Sequence, residues 1–214
     1  MATTLQVTNG TGNESVAVYL TLGTQTGNAT IGDFKKFTSI GGSYLAGYIT
    51  LGSYESYTFS EGIYMNGNLC FGCEPQCPGP GIPQFPSGTT AFEFNLNVPG
   101  GNNEGIDISC VNGVNSFITV DVSGGGTFIT NGSPAPLPIY NKGAGHSDNY
   151  GLYGVYPAGC TSCTGGVHNA PCSNVPNQQP QKDPICLLSR DGNDGGGTIY
   201  VTFTGYYNGP ASAK

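Results

Sequence analysis

Thr89-Thr-Ala-Phe-Glu-Phe-Asn-Leu-Asn97 is followed shortly by Gly105-Ile-Asp-Ile-Ser-Cys110. In the first stretch Phe92, Phe94 and Leu96 alternate with Glu93 and Asn95. In the second, Ile106 and Ile108 flank Asp107. A period of two marks a half-buried β-strand, because successive side chains point to opposite faces. Each stretch therefore reads as a strand with one apolar face and one polar face. Glu93 and Asp107 both fall on the polar phase. Paired strands would bring them roughly 5 Å apart.

The same alternation recurs on both sides. Val16, Val18, Leu20 and Leu22 form one phase of a run, Ile118, Val120 and Val122 of another, and Ile199, Val201 and Phe203 of a third. Asn9-Gly10, Asn112-Gly113 and Gly100-Gly101 punctuate these runs as turns. No long stretch carries the helical period. The reading is all-β, an antiparallel β-sandwich, in one domain spanning 1–214. Two segments break the pattern: a Cys/Pro/Gly-rich loop at 70–90 and a long irregular region at 131–196.

Composition narrows the function. Six basic residues, with Arg190 the one arginine, face 13 acids, for a net charge of −7. A phosphate backbone has no electrostatic partner in such a chain, so nucleic acid is not expected. No apolar run approaches the ~20 residues of a membrane helix, so insertion is not expected either. The charged fraction is 9%, while 37% of residues are hydrophobic, 13 Tyr and 10 Phe among them. Chains this rich in aromatics fold. The surface is made polar by Ser, Thr and Asn.

Eight cysteines stand at Cys70, Cys73, Cys77, Cys110, Cys160, Cys163, Cys172 and Cys186. An even count is most simply four disulfides stapling the long loops, which places the chain outside the cell or in another oxidising compartment. The spacing does not give the pairing. The alternative is a zinc site from Cys70-x2-Cys73 and Cys160-x2-Cys163. Cys110 follows an alternating run and also reads as a small buried hydrophobe. No export signal opens the chain at Met1-Ala-Thr-Thr, so the compartment rests on the cysteines. Sequons at Asn9, Asn13, Asn28 and Asn131 are no more than so much Asn, Ser and Thr yields by chance.

The remaining motifs are weak. His146-Ser147-Asp148 is consecutive, whereas triad members converge from separate segments. Gly124-Gly-Gly126 and Gly195-Gly-Gly197 lack the lysine and the helix of a phosphate cradle, and read as turns. Tyr44, Tyr48, Tyr54, Tyr57, Tyr64, Tyr150, Tyr153 and Tyr156 suit either packing or stacking on sugar rings.

Taken in order, several segments resemble the thaumatin-like family. They are Ala2-Thr-Thr-Leu-Gln-Val-Thr-Asn9, Thr50-Leu-Gly-Ser-Tyr-Glu-Ser-Tyr-Thr-Phe59, Gly62-Ile-Tyr-Met-Asn-Gly-Asn-Leu-Cys70, Thr89–Asn97 with Gly105–Asn115, and Gly197-Thr-Ile-Tyr-Val-Thr-Phe203. The resemblance implies an acidic cleft that takes β-1,3-glucans. Carried over position by position, the cleft glutamate falls on Glu93 and the first aspartate on Asp107. Asn112 replaces the second aspartate. Asn66 or Asn68 stands where the family has an arginine, with Tyr64 close by. Asp191 and Asp194 are candidates for the third aspartate. The family commonly has sixteen cysteines, against eight here.

Two carboxylates flanking a glycosidic bond can hydrolyse it, so Glu93 and Asp107 are also the catalytic candidates. Three functions follow as expectations. The first is a glycan-binding, defence-type protein with a polysaccharide partner and a cleft at Glu93, Asp107, Asn112, Asn66 and Tyr64. The second is a self-assembling surface, filament or coat protein without catalysis. The third is a weak endo-β-1,3-glucanase. No cofactor is expected.

Overall fold

The computed structural model describes residues 1–12, 15–59, 61–76, 83–86, 89–110, 115–130, 132–135, 137–141, 155–156 and 187–206. Fifteen strands are formed among them. They are β1 (Thr4–Asn9), β2 (Val16–Leu22), β3 (Thr38–Ser39), β4 (Ala46–Leu51), β5 (Ser56–Thr58), β6 (Met65–Phe71), β7 (Ala91–Leu96) and β8 (Glu104–Ser109). After these come β9 (Ser116–Ser123), β10 (Ile129–Thr130), β11 (Ser133–Pro134), β12 (Ile139–Tyr140), β13 (Val155–Tyr156), β14 (Leu188–Arg190) and β15 (Thr198–Tyr206). The described helical pieces are three 3-10 turns of three residues each. Among the described residues no helix is long and apolar enough to cross a membrane.

The strands make two sheets, as the alternation predicts. The five-stranded sheet runs β12-β9-β15-β1-β5, and the ten-stranded sheet runs β11-β10-β14-β8-β7-β6-β2-β4-β3, with β13 also on β8. Most pairings are antiparallel. Two are not: β1 pairs parallel with β15 at the centre of the smaller sheet, and β13 pairs parallel with β8. Alternation within one strand carries no information on its partner's direction, so the sequence could not show this.

One cluster of apolar side chains fills the space between the sheets. Leu5, Val7, Ile118, Val120, Ile199, Val201 and Phe203 enter it from the smaller sheet. Leu20, Leu69, Phe92, Phe94, Ile106 and Ile108 enter from the larger. Phe203 and Phe71 stack across the gap with ring centroids 5.2 Å apart. This burial uses one phase of each alternating strand and leaves the other phase on an outer face. The groove described below lies on that outer face of the larger sheet.

The regions expected to be irregular contain ordered parts. Gln76 and Gln84 exchange backbone hydrogen bonds of 2.7 and 2.9 Å, closing the 70–90 loop on itself. Strands β11, β12, β13 and β14 lie inside 131–196. Each has two or three residues, too few to show a period.

The expectation of four disulfides fails. Cys70 and Cys110 are free and fully buried, so the eight cysteines do not all pair. Cys110 sits on the core side, just beyond β8, where a thiol behaves as a small hydrophobe. Burial pushes its thiol up to about 12, which keeps it protonated. Asn141 Nδ2 lies 3.7 Å from its sulfur. Cys73 is disulfide-bonded, which removes it from the zinc alternative. Cys77, Cys160, Cys163, Cys172 and Cys186 lie outside the described residues. So do His146, His168, Tyr150 and Tyr153. Among the described residues no group of three or more His, Cys, Asp or Glu could hold a metal ion.

Candidate functional site

Strands β2, β6, β7 and β8 are consecutive neighbours in the larger sheet, and their registers align polar residues into rows. Thr21 pairs with Asn68, Asn68 with Glu93, and Glu93 with Asp107. The next row holds Asn66, Asn95, Gly105 and Ser189. Because side chains alternate, all of these share the face opposite the core. Asn66 Nδ2 donates to Asn95 Oδ1 at 3.3 Å, and Asn68 Nδ2 donates to Thr21 Oγ1 at 3.5 Å. Between the two asparagines, a Cβ at Gly67 would collide with the Thr21 carbonyl, so only glycine lets β2 approach there.

A cavity of about 630 Å³ lies over these rows. That is within the roughly 300–1,000 Å³ of small-molecule sites. Asn66, Asn68, Glu93, Asn95 and Asp107 line it, with Gln25, Asn103 and Leu187 also on its wall. No Lys, Arg or His is among the described residues that line it. The two carboxylates therefore have no cationic side chain beside them there.

Burial makes it costly to ionise both members of the pair. Asp107 is 5% exposed and Glu93 is partly buried. They face each other across the β7–β8 ladder. Burial pushes the Asp107 carboxyl well above the usual range, and the nearby Glu93 carboxyl pushes the same way. Burial raises Glu93 too, while its contact with Asp107 acts in the opposite direction. Asp107 Oδ1 is buried and has no hydrogen-bond partner. An orphaned acceptor at the floor of a polar groove is rare in native structures and suits a donor from a ligand.

The residues expected at the site divide three ways. Glu93, Asp107, Asn66 and Asn68 line the one groove together. Tyr64, half-buried ahead of β6, is not among the lining residues. Asp191 and Asp194 are not in the groove either. Asp191 Oδ1 accepts from Asn193 N at 2.8 Å in an exposed 3-10 turn, and Asp194 follows in that turn. Asn112 lies outside the described residues. Gln25, Asn95, Asn103 and Ser189 are additional. Asn95 stands on the same phase as Glu93 and was readable from the alternation. Gln25 and Asn103 sit in connections, where no period marks them.

The tyrosines mostly do other things. Tyr57 packs edge-on against Phe37 and Phe59, Tyr48 pairs with Tyr19 at 6.0 Å, and Tyr44 and Tyr54 are exposed. No family model matches this chain, and no curated protein matches it either.

Proposed function

We propose that this protein binds a neutral linear glycan of the β-1,3-glucan type in the groove over Glu93 and Asp107, as a non-catalytic, thaumatin-like recognition protein of an oxidising compartment. The observation that carries this reading is the cross-strand carboxyl pair, with the orphaned Oδ1 of Asp107, in a groove walled by amides. Sugar hydroxyls both donate and accept. The amides of Asn66, Asn68 and Asn95 offer both functions as well, and Glu93 and Asp107 add acceptors. Burial raises both carboxyls and disfavours a doubly ionised floor, which favours an uncharged ligand.

Hydrolysis is the weaker reading. A glycosidase needs its two carboxyl groups on either side of the scissile bond, whereas Glu93 and Asp107 stand directly opposite one another on adjacent strands of one sheet floor. Self-assembly draws on the exposed Tyr44 and Tyr54 and the low charge. Yet β3 and β11, which end the larger sheet, have two residues each, too short to template an extended ladder.

The test is co-sedimentation with insoluble β-1,3-glucan from acidic to neutral pH. The wild type is expected to bind. Glu93→Gln combined with Asp107→Asn is expected to weaken binding about 10- to 100-fold, the scale of losing a hydrogen bond to a charged group. Folded wild-type protein that stays in the supernatant throughout that range ends the glycan reading.

A further inference from the structure

The groove does not stop at Glu93. A second cavity of about 330 Å³ adjoins the first, and the two share Asn68, Pro83 and Glu93 as wall. Among the described residues Phe85, Gln84, Thr89, Ala91 and Ser109 also line the second cavity. Its floor continues the sheet, because Ala91 and Ser109 are register partners one step along β7 and β8 from Glu93 and Asp107. Glu93 thus stands at the junction of two adjoining spaces, not at the bottom of an isolated pit.

The two spaces differ in chemistry. The first is walled by amides and carboxyls. The second carries the half-buried ring of Phe85. That ring has no polar atom, so what it offers a ligand is apolar area. Phe85 is held from both sides. Gln84 is tied to Gln76 by the paired backbone bonds of 2.7 and 2.9 Å, and Thr89 Oγ1 donates to Pro86 O at 2.6 Å. Backbone tied on both sides of Phe85 limits the freedom lost when a ligand settles on its ring.

We propose that Phe85 is the platform of a second subsite, and that the ligand is an oligosaccharide chain long enough to lie on both sides of Glu93. One sugar unit meets the amides and the acid pair. A further unit places the C–H face of its ring on Phe85, while Gln84, Thr89 and Ser109 meet its hydroxyls. This rests on the glycan reading of the groove and adds its chain-length requirement.

Calorimetry with linear β-1,3-gluco-oligosaccharides of increasing length tests it, on the wild type, Phe85→Ala and Phe85→Tyr. Wild-type affinity is expected to rise with length until both cavities are filled and then level off. Phe85→Ala is expected to lose roughly three- to tenfold for the long chains and nothing for the shortest chain that binds, while Phe85→Tyr keeps the gain. The unchanged short-chain affinity shows that the variant is folded. Wild-type affinity that ignores length overturns the subsite and leaves the glycan reading standing. An equal loss for short and long chains overturns it too, because Phe85 then only supports the loop. If the wild type binds no oligosaccharide of any length, the glycan reading falls and the subsite with it.

Discussion

Strand β8 carries two buried acids three positions apart, and they meet opposite fates. Glu104 points to the core side and pairs across the ladder with Arg190 on β14. Asp107 points to the groove side and pairs with Glu93 on β7. Glu104 is 2% exposed and surrounded by donors: Arg190 Nε and Thr3 Oγ1 reach its Oε2 at 2.8 Å each, and Asn97 N reaches its Oε1 at 2.8 Å. Asp107 faces an acceptor and has an oxygen left over. Burial is nearly the same in the two. What differs is whether the cross-strand partner brings a donor. The single arginine of the chain is spent inside the fold, which leaves the groove pair with no cationic side chain among the described lining residues.

The Arg190 site is completed by backbone. Its guanidinium donates to Gly126 O at 3.1 Å, Gly196 O at 2.8 Å and Thr3 Oγ1 at 2.9 Å, and stands 4.5 Å over the Phe128 ring. The two glycine runs are therefore more than turns. A Cβ at Gly125 would run into Arg190 and the Gly196 carbonyl, so the runs close around the guanidinium only without side chains. Removing this cation has the largest expected effect. Arg190→Met leaves Glu104 buried and uncompensated, and is expected to cost about 3–5 kcal/mol in denaturant unfolding. Adding Glu104→Leu should recover much of that loss, because a buried ion pair replaced as a whole by apolar side chains is often tolerated. A single variant as stable as the wild type would break the contrast between the two acids.

The larger part of this contrast was hidden in the sequence. Alternation revealed β2, β7, β9 and β15, and it put Glu93 and Asp107 on polar phases of two runs. It said nothing of Glu104, which precedes its run and sits on the phase of Ile106 and Ile108. An acid on an apolar phase is explained only by a partner, and Arg190 lies 86 positions away in sequence. Its strand has three residues, below any readable period. The cysteines failed for a related reason. An even count suggested complete pairing, but Cys110 lies in phase with Ile106 and Ile108 and was buried by the strand instead. The groove was half legible. Its floor is periodic, while Gln25, Asn103 and Phe85 belong to connections positioned by tertiary contacts.

The groove pair sharpens the comparison through pH. The Asp107 carboxyl, raised by burial in the folded state, keeps its proton to higher pH than an unfolded aspartate, which releases it near pH 4 as a rough reference value. Where the folded state binds more protons than the unfolded state, stability falls as pH rises, by up to about 1.4 kcal/mol per pH unit per proton. This contribution is flat below the ordinary carboxylate range and declines above it, until the folded Asp107 has titrated. Asp107→Asn removes the proton and its slope. It is expected to raise stability at neutral pH by on the order of 1 kcal/mol while leaving acidic stability nearly unchanged. Parallel melting curves of wild type and variant across pH check this, and an unchanged slope in the variant would assign the titration elsewhere.

The smallest effect belongs to an acid that is not buried. Glu55 lies 3.7 Å from Lys36, with the two side chains 46% and 63% exposed. In water the attraction is weak, and holding two long side chains together costs entropy, so exposed pairs contribute about 0–1 kcal/mol. Lys36→Ala is expected to shift stability by no more than about 0.5 kcal/mol, and added salt should erase even that. Glu55 has a second task, since its Oε2 accepts from Gly52 N at 2.9 Å within a turn closed by Glu55 N donating to Gly52 O. Glu55→Ala should therefore cost more than Lys36→Ala, by a margin that salt does not remove. If the two variants are equal, the turn hydrogen bond adds nothing. If both lose that margin in salt, the ion pair alone accounts for the role of Glu55. For Glu104, Asp107 and Glu55 alike, the expected cost follows the donors that face the carboxylate and the water that can replace them, and sequence position relative to a charged neighbour predicts neither.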